Sequence, residues 1–253
     1  MDKAELFDWV RSNQPDKKLT QPQVEAIDSM LLKNSTDDLA KTLSLVTGWK
    51  LASVDNNTNK KLQKQDIINV ANNLGIEPAA LKSVIDVEAR SSGFDSQGRP
   101  TILFERHKFW DELGKVNYFT WRQKFYEQYP DICNPKSGGY NERDQYEKLR
   151  IASELHWEAA HKSASFGLGQ IMGFNAESLG YKSLKEFVDD MYESEAKQLE
   201  AMARFLKVNN LIPKLKNHDW AGFARGYNGS AYKKNNYDVK LANAYTKAKK
   251  EGW

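Results

Sequence analysis

The sequence predicts a mainly α protein: a small helical module followed by a larger helical domain with one or two short strands. Three observations carry that expectation. Apolar residues recur at i, i+3, i+4 and i+7 along most of the chain. Capping and terminating residues bracket these stripes. Only Thr101-Ile102-Leu103-Phe104 reads convincingly as a strand.

At 253 residues the chain holds one large domain or a small one plus a larger one. Apolar content of 40% with 28% charged residues is globular rather than disordered. A net charge of +3 is too small to argue for nucleic acid, though it is compatible with an anionic partner such as a bacterial envelope. The single cysteine, Cys133, excludes an internal disulfide, and His107, His156, His161 and His218 form no zinc-spacing pattern, so no metal and no cofactor is expected. The start, Met1-Asp2-Lys3-Ala4-Glu5, has no basic-then-apolar leader, and no run is apolar enough to span a bilayer. The expected place of synthesis is therefore the cytoplasm.

Residues 1–52 read as three short helices: Leu6, Phe7 and Val10 face inward on the first, then Val24, Ile27, Met30 and Leu31, then Leu39, Leu43 and Val46 up to Gly48. Thr20-Gln21-Pro22-Gln23 is a capping-box start for the second, and Asn34-Ser35-Thr36 breaks it and caps the third. So small a core suits a wall-binding or interaction module. The polar, Asn-rich run 53–61 is the linker candidate. The second domain, 62–253, opens with the stripe Ile67, Val70, Ala71, Leu74, closed by Gly75. A turn with Pro78 leads to Leu81, Val84 and Ile85, and the next position on that stripe is Glu88, followed by the terminator Ser91-Ser92-Gly93. A carboxyl on the buried side of a helix end is disfavoured as an anion by its apolar surroundings and by the helix dipole. It can then stay protonated and act as a general acid. A partly exposed Glu beside Arg90 is the plainer alternative.

After the strand comes Glu105-Arg106-His107. Residues 130–146, with Pro130, Pro135 and Gly138-Gly139, read as an irregular excursion over or beside a cleft. Ser183 to about Lys207 reads as one long helix with a Ser183/Glu186 capping box, and Glu195 interrupts its stripe; as a mid-helix residue it reads as a structural acceptor. Trp220, Phe223, Ala224 and Tyr227 form another stripe, and a last helix through Tyr237, Leu241, Ala244 and Tyr245 ends in basic residues.

The glycine-rich run Ser165-Phe166-Gly167-Leu168-Gly169-Gln170-Ile171-Met172-Gly173 does not fit a dinucleotide loop, because the spacing is wrong and no strand run precedes it. It is either a loop whose backbone approaches a ligand, with Gln170 offering a donor and an acceptor to a sugar, or a tight turn. Tyr227-Asn228-Gly229 likewise reads either as a sugar-contacting turn or as the end of an aromatic core stripe.

In order, the helix-ending Glu88, Ser165-x-Gly167-Leu168-x-Gln170 and Tyr227-Asn228-Gly229 resemble the lysozyme-like superfamily of goose-type lysozymes and lytic transglycosylases. The run from about Leu62 to Tyr245 is more closely similar to the N-acetylmuramidase domain of phage endolysins. The likeness rests on Val87-Glu88, Gly98-Arg99-Pro100, Phe104-Glu105-Arg106-His107, Gly138-Gly139-Tyr140, Gln170-Ile171-Met172-Gly173-Phe174-Asn175, Glu195, Gln198-Leu199 and Phe223 to Gly229.

The resemblance implies an α+β lysozyme-like fold and a monomeric enzyme that hydrolyses the β-1,4 bond between N-acetylmuramic acid and N-acetylglucosamine in peptidoglycan. Such a protein waits in the cytoplasm for a membrane pore and does not itself insert in the membrane. The resemblance places Glu88 as the catalytic acid and Ser165, Gly167, Gln170, Tyr227 and Asn228 against substrate. Gly169 stands where related sequences often carry a larger residue, which would widen the cleft. Glycosidases commonly use a second carboxylate: Glu105 is the candidate after the strand, with structural pairing to Arg106 or His107 as its alternative reading, Asp95 is a further candidate, and Asp86 faces away on its helix. Without one, the substrate's own 6-hydroxyl attacks, as in lytic transglycosylases. A non-catalytic peptidoglycan-binding protein is the remaining alternative.

Overall fold

The computed structural model describes residues 3–32, 34–47, 60–88 and 92–253. Two compact units emerge, Met1–Asn59 and Lys60–Trp253. The first holds α1 (Lys3–Ser12), α2 (Gln21–Leu31) and α3 (Thr36–Thr47). Its core is Leu6, Trp9, Val10, Ile27, Leu39 and Ala40. Trp9 joins this core outside the expected stripe, whereas Met30 and Val46 are exposed. Gln23 reaches back to accept the Thr20 backbone N–H at 2.8 Å, and Ser35 accepts the Asp38 N–H, so both predicted starts are capped. Gly48 and most of the linker run lie outside the described residues, as does Ser91 of the predicted terminator.

The larger unit starts with α4 (Lys64–Leu74), closed by Gly75 at φ +63°, and α5 (Pro78–Glu88). Then come β1 (Ile102–Phe104), α6 (Arg106–Lys115), α7 (Phe119–Gln128) and α8 (Gln145–Lys162). Strands β2 (Ala164–Phe166) and β3 (Ile171–Met172) form a hairpin, and β2 pairs antiparallel with β1, Leu103 opposite Ser165. The chain finishes with α9 (Leu184–Glu193), α10 (Glu195–Val208), α11 (Ile212–Lys216), α12 (Trp220–Asn228) and α13 (Tyr237–Lys250).

Two apolar cores divide this unit. One lies between the sheet, α6, α8 and α9, around Phe104, Phe109, Phe166 and Phe187. The other joins α4, α5 and α10 to α13, around Leu81, Val84, Leu199, Phe223 and Leu241.

Two expectations are corrected. Three strands form where one or two are expected, because β2 opens the glycine-rich run at Ser165-Phe166 and β3 lies within it at Ile171-Met172. That run is therefore a hairpin turn; with antiparallel strands on both sides and no helix opening from it, it still does not make a phosphate loop. The long helix is two: Ser194 takes extended geometry (φ −162°, ψ 160°) and caps α10 by accepting the Lys197 N–H. Glu195 accordingly opens a helix rather than sitting inside one. The last helix forms as expected and ends in basic residues: Tyr237, Leu241 and Ala248 are buried, and Lys249 pairs with Glu77 at 3.2 Å.

α10 locks the two cores together. Buried Glu195 accepts from the backbone of Gly93 (2.7 Å) and Leu62 (2.8 Å) and from Ser92 Oγ (3.0 Å). One turn on, fully buried Gln198 accepts the Leu168 N–H (2.8 Å) and donates to the carbonyls of Gly93 (3.1 Å) and Met191 (2.8 Å). Replacing Glu195 by Ala strands the buried Gly93 N–H and the partly buried Leu62 N–H. We expect Glu195→Ala to lower the unfolding free energy by about 3 kcal/mol, since bonds to a charged acceptor are worth roughly 1.5–3 each; urea denaturation of the whole chain measures it.

Candidate active site

Where the two cores meet, a cleft of about 530 Å³ opens, within the size range of ligand sites. All seven predicted site residues line it: Glu88, Glu105, Ser165, Gly167, Gln170, Tyr227 and Asn228. Thr101 to Leu103, Leu168, Gly169, Met172 and Tyr237 complete the lining.

Glu88 is the last residue of α5 and is half-buried rather than fully buried. Its Oε1 accepts a 2.8 Å hydrogen bond from Asn228 Nδ2, at the end of α12. Tyr227, one residue earlier, donates its hydroxyl to the Gly169 carbonyl at 3.2 Å and so ties α12 to the hairpin turn. Burial first, and then the adjacent Glu88 charge, push the Tyr227 hydroxyl far above the ordinary tyrosine range. The phenol thus remains a hydrogen-bond donor at every working pH.

Glu105 follows β1 and takes the N-cap position of α6 without a side-chain capping bond, and its N–H donates to the Ser163 carbonyl at 2.9 Å. Its Oε2 accepts the Tyr140 hydroxyl at 3.1 Å. His107 Nδ1 lies 3.3 Å from the same oxygen but without the alignment of a hydrogen bond. The expected alternative of pairing with Arg106 does not form: that guanidinium turns away and binds the carbonyls of Pro130, Lys136 and Ser137 at 3.0–3.2 Å.

The remaining carboxylates are occupied elsewhere. Asp86 is exposed and bridges to Lys82. Asp95 accepts from the backbone of Gln97 and Arg99 and is gripped by the Arg99 guanidinium at 2.8–2.9 Å, and it does not line the cleft. Burial alone would raise its carboxyl; the Arg99 and backbone hydrogen bonds outweigh it and hold Asp95 below the usual carboxylate range.

The hairpin turn is built for itself as much as for a ligand. Gln170, at φ +47°, donates to the carbonyls of Thr101 (3.1 Å) and Gly167 (2.9 Å), and its Oε1 accepts the Ser165 hydroxyl (2.8 Å). Both amide protons are thereby used, and only a lone pair of Oε1 is left for a sugar, which narrows the donor-and-acceptor role expected from sequence. Gly167 sits at φ +65°, and a Cβ there would meet Gln198 Cδ at 2.4 Å. A Cβ on Gly169 would come within 3.1 Å of Met202 Cε, so the floor is packed beneath the turn. Sequence reasoning missed the contribution of Thr101 and Tyr237; neither carries a motif that would single it out.

No group of three or more His, Cys, Asp or Glu side chains among the described residues could hold a metal ion. Nor is any helix among them long and apolar enough to cross a membrane.

A carboxylate-bearing cleft between a small antiparallel sheet and a helical lobe defines a lysozyme-like glycosidase architecture. The comparisons take this one step further. The N-acetylmuramidase family's sequence profile matches residues 77–249, and the chain belongs to that family. The solved structure of the Burkholderia AP3 phage endolysin superposes with a TM-score of 0.71 at 36% identity, covering 83% of this chain and 78% of that one. Among curated proteins none matches. The protein is therefore a glycosidase-type enzyme that degrades peptidoglycan.

Gln170 offers a direct check on what the turn does. If its amide mainly holds the hairpin, Gln170→Ala lowers the melting temperature by several degrees, as a loss of about 2 kcal/mol requires, and activity falls with it. An unchanged melting temperature with a raised KM on soluble glycan strands would assign the amide to substrate instead.

Proposed function

We propose that residues 62–253 form a muramidase domain that hydrolyses the β-1,4 bond from N-acetylmuramic acid to N-acetylglucosamine, with Glu88 as general acid and Glu105 as the second catalytic carboxylate. We further propose that the chain works as a monomeric endolysin, reaching the wall from the host cytoplasm through a membrane pore. The helical module, 1–52, is assigned to anchoring on the wall or to a partner. The observation that carries the catalytic reading is the meeting of two carboxylates in one cleft, with different partners. Glu88 accepts from a neutral amide at the end of a helix, where the negative pole of α5 favours the protonated form. Glu105 stands at the N-cap position of α6 and accepts the Tyr140 hydroxyl.

In this mechanism Glu88 gives its proton to the glycosidic oxygen as the bond from the muramic C1 breaks. The leaving N-acetylglucosamine recovers its 4-hydroxyl. Water attacks C1 and loses its proton to Glu105, leaving a reducing N-acetylmuramic acid end. Asn228 holds Glu88 in line, and Tyr227 fixes the wall behind it through Gly169.

Mass spectrometry of fragments released from purified peptidoglycan tests the reading. The wild type is expected to release reducing N-acetylmuramic ends. Glu88→Gln should lower the rate by roughly a hundred to ten thousand fold while pelleting with the wall as before. Fragments lighter by one water would mean transglycosylation, with the 6-hydroxyl as nucleophile. A wild type that binds the wall and releases nothing would mean a binding protein.

A further inference from the structure

We propose that Tyr140 is a positioning residue that holds Glu105 in its catalytic orientation; this rests on the reading of Glu105 as the second carboxylate. Among the described residues, the Tyr140 hydroxyl is the one hydrogen-bond donor to the Glu105 carboxylate. It binds Oε2, so that oxygen is tied back to the protein, while Oε1 accepts from no described residue and the side chain lines the cleft. That division, one oxygen anchored and one available, is what a base acting on water requires. It also needs the anchor itself to stay still.

The anchor lies on the irregular excursion between α7 and α8, a kind of segment that is ordinarily variable in position. Here it is tied at almost every turn. Arg106 binds the carbonyls of Pro130, Lys136 and Ser137. Asn134 donates to the Pro130 carbonyl and accepts the Lys136 N–H. The ammonium of fully buried Lys148 donates to the Gly139 carbonyl, next to Tyr140. Gly138 and Gly139 take φ +115° and +74°, and a Cβ on Gly139 would meet Arg106 Nη1 at 2.8 Å. Gln145 then joins the two partners: its Nε2 donates to the Tyr140 carbonyl at 2.6 Å, and its Oε1 accepts the N–H of Phe104, the residue before Glu105. A single side chain thus sets the backbone of the donor against the backbone of the acceptor. The Tyr140 ring itself remains well exposed, so packing does not explain the fixation.

The test is a double-mutant cycle on soluble glycan strands with Tyr140→Phe and Glu105→Gln in the full chain. Tyr140→Phe keeps the ring and should melt as the wild type. It is expected to lower kcat by about ten- to a hundredfold, the effect of loosening a reacting group by a fraction of an ångström, with KM unchanged. In the Glu105→Gln background the same substitution should do nothing further, because it acts only through that carboxylate. Wild-type kcat in Tyr140→Phe overturns the proposal. So does a raised KM at unchanged kcat, which would place the hydroxyl on substrate, and so does a loss that multiplies fully with that of Glu105→Gln. If Glu105→Gln itself keeps wild-type kcat, the reading of Glu105 fails and the role of Tyr140 falls with it.

Discussion

The cleft depends on two buried side chains one turn apart on α10, Glu195 and Gln198. Neither lines the cleft, yet between them they tie together four points of the backbone, one of which, Leu168, does line it. Glu195 holds the backbone at Leu62 and Gly93, and Gln198 holds Gly93, Met191 and the Leu168 N–H of the hairpin turn. The geometry is close enough that glycine is required: a Cβ on Gly93 would lie 2.1 Å from Gln198 Oε1. Two glycines in separate motifs, Gly93 and Gly167, are therefore explained by a third residue that neither motif contains. A buried carboxylate is tolerated at this point because three donors converge on it, and leaving any of them bare is costly.

The polar groups of the cleft are largely committed to one another before any ligand arrives. Ser165 is bound to Gln170, Gln170 to Thr101 and Gly167, Tyr227 to Gly169, and Asn228 to Glu88. Such a site does not need to reorganise when charge develops at the glycosidic bond, which is where preorganised dipoles are most effective. The cost is that few of these groups can also serve as ordinary sugar contacts. The site residues therefore divide into those that shape the cleft and those that act in it, although both kinds occur in the same short motifs.

Much of this was legible in the sequence. The off-stripe position of Glu88 marked it, and helical spacing alone placed α4, α5, α12 and α13. What escaped has a physical cause in each case. Strands of three and two residues are too short to show alternation, so β2 and β3 looked like loop. The break at Ser194 was hidden because the apolar stripe of α9 resumes almost in phase on α10, and a single extended serine leaves no Gly or Pro behind. α7 buries none of its residues fully and so lacks a stripe to read. The fixation of the 130–146 excursion was invisible because two of its anchors, Arg106 and Lys148, lie outside it.

Glu88 and Glu195 show how far the off-stripe signal reaches. Both interrupt an apolar stripe, and the sequence flagged both. Their partners separate them. Glu195 is 7% exposed and receives two backbone N–H groups and a serine hydroxyl, which fill its lone pairs from inside the protein. Glu88 is half-exposed and sits in a cleft with room for a ligand, steadied by a side-chain amide that shares the same opening. Backbone donors on every side make a carboxylate a structural knot. A side-chain amide and a place in the lining of the cleft, against backbone donors inside the protein, distinguish the two residues.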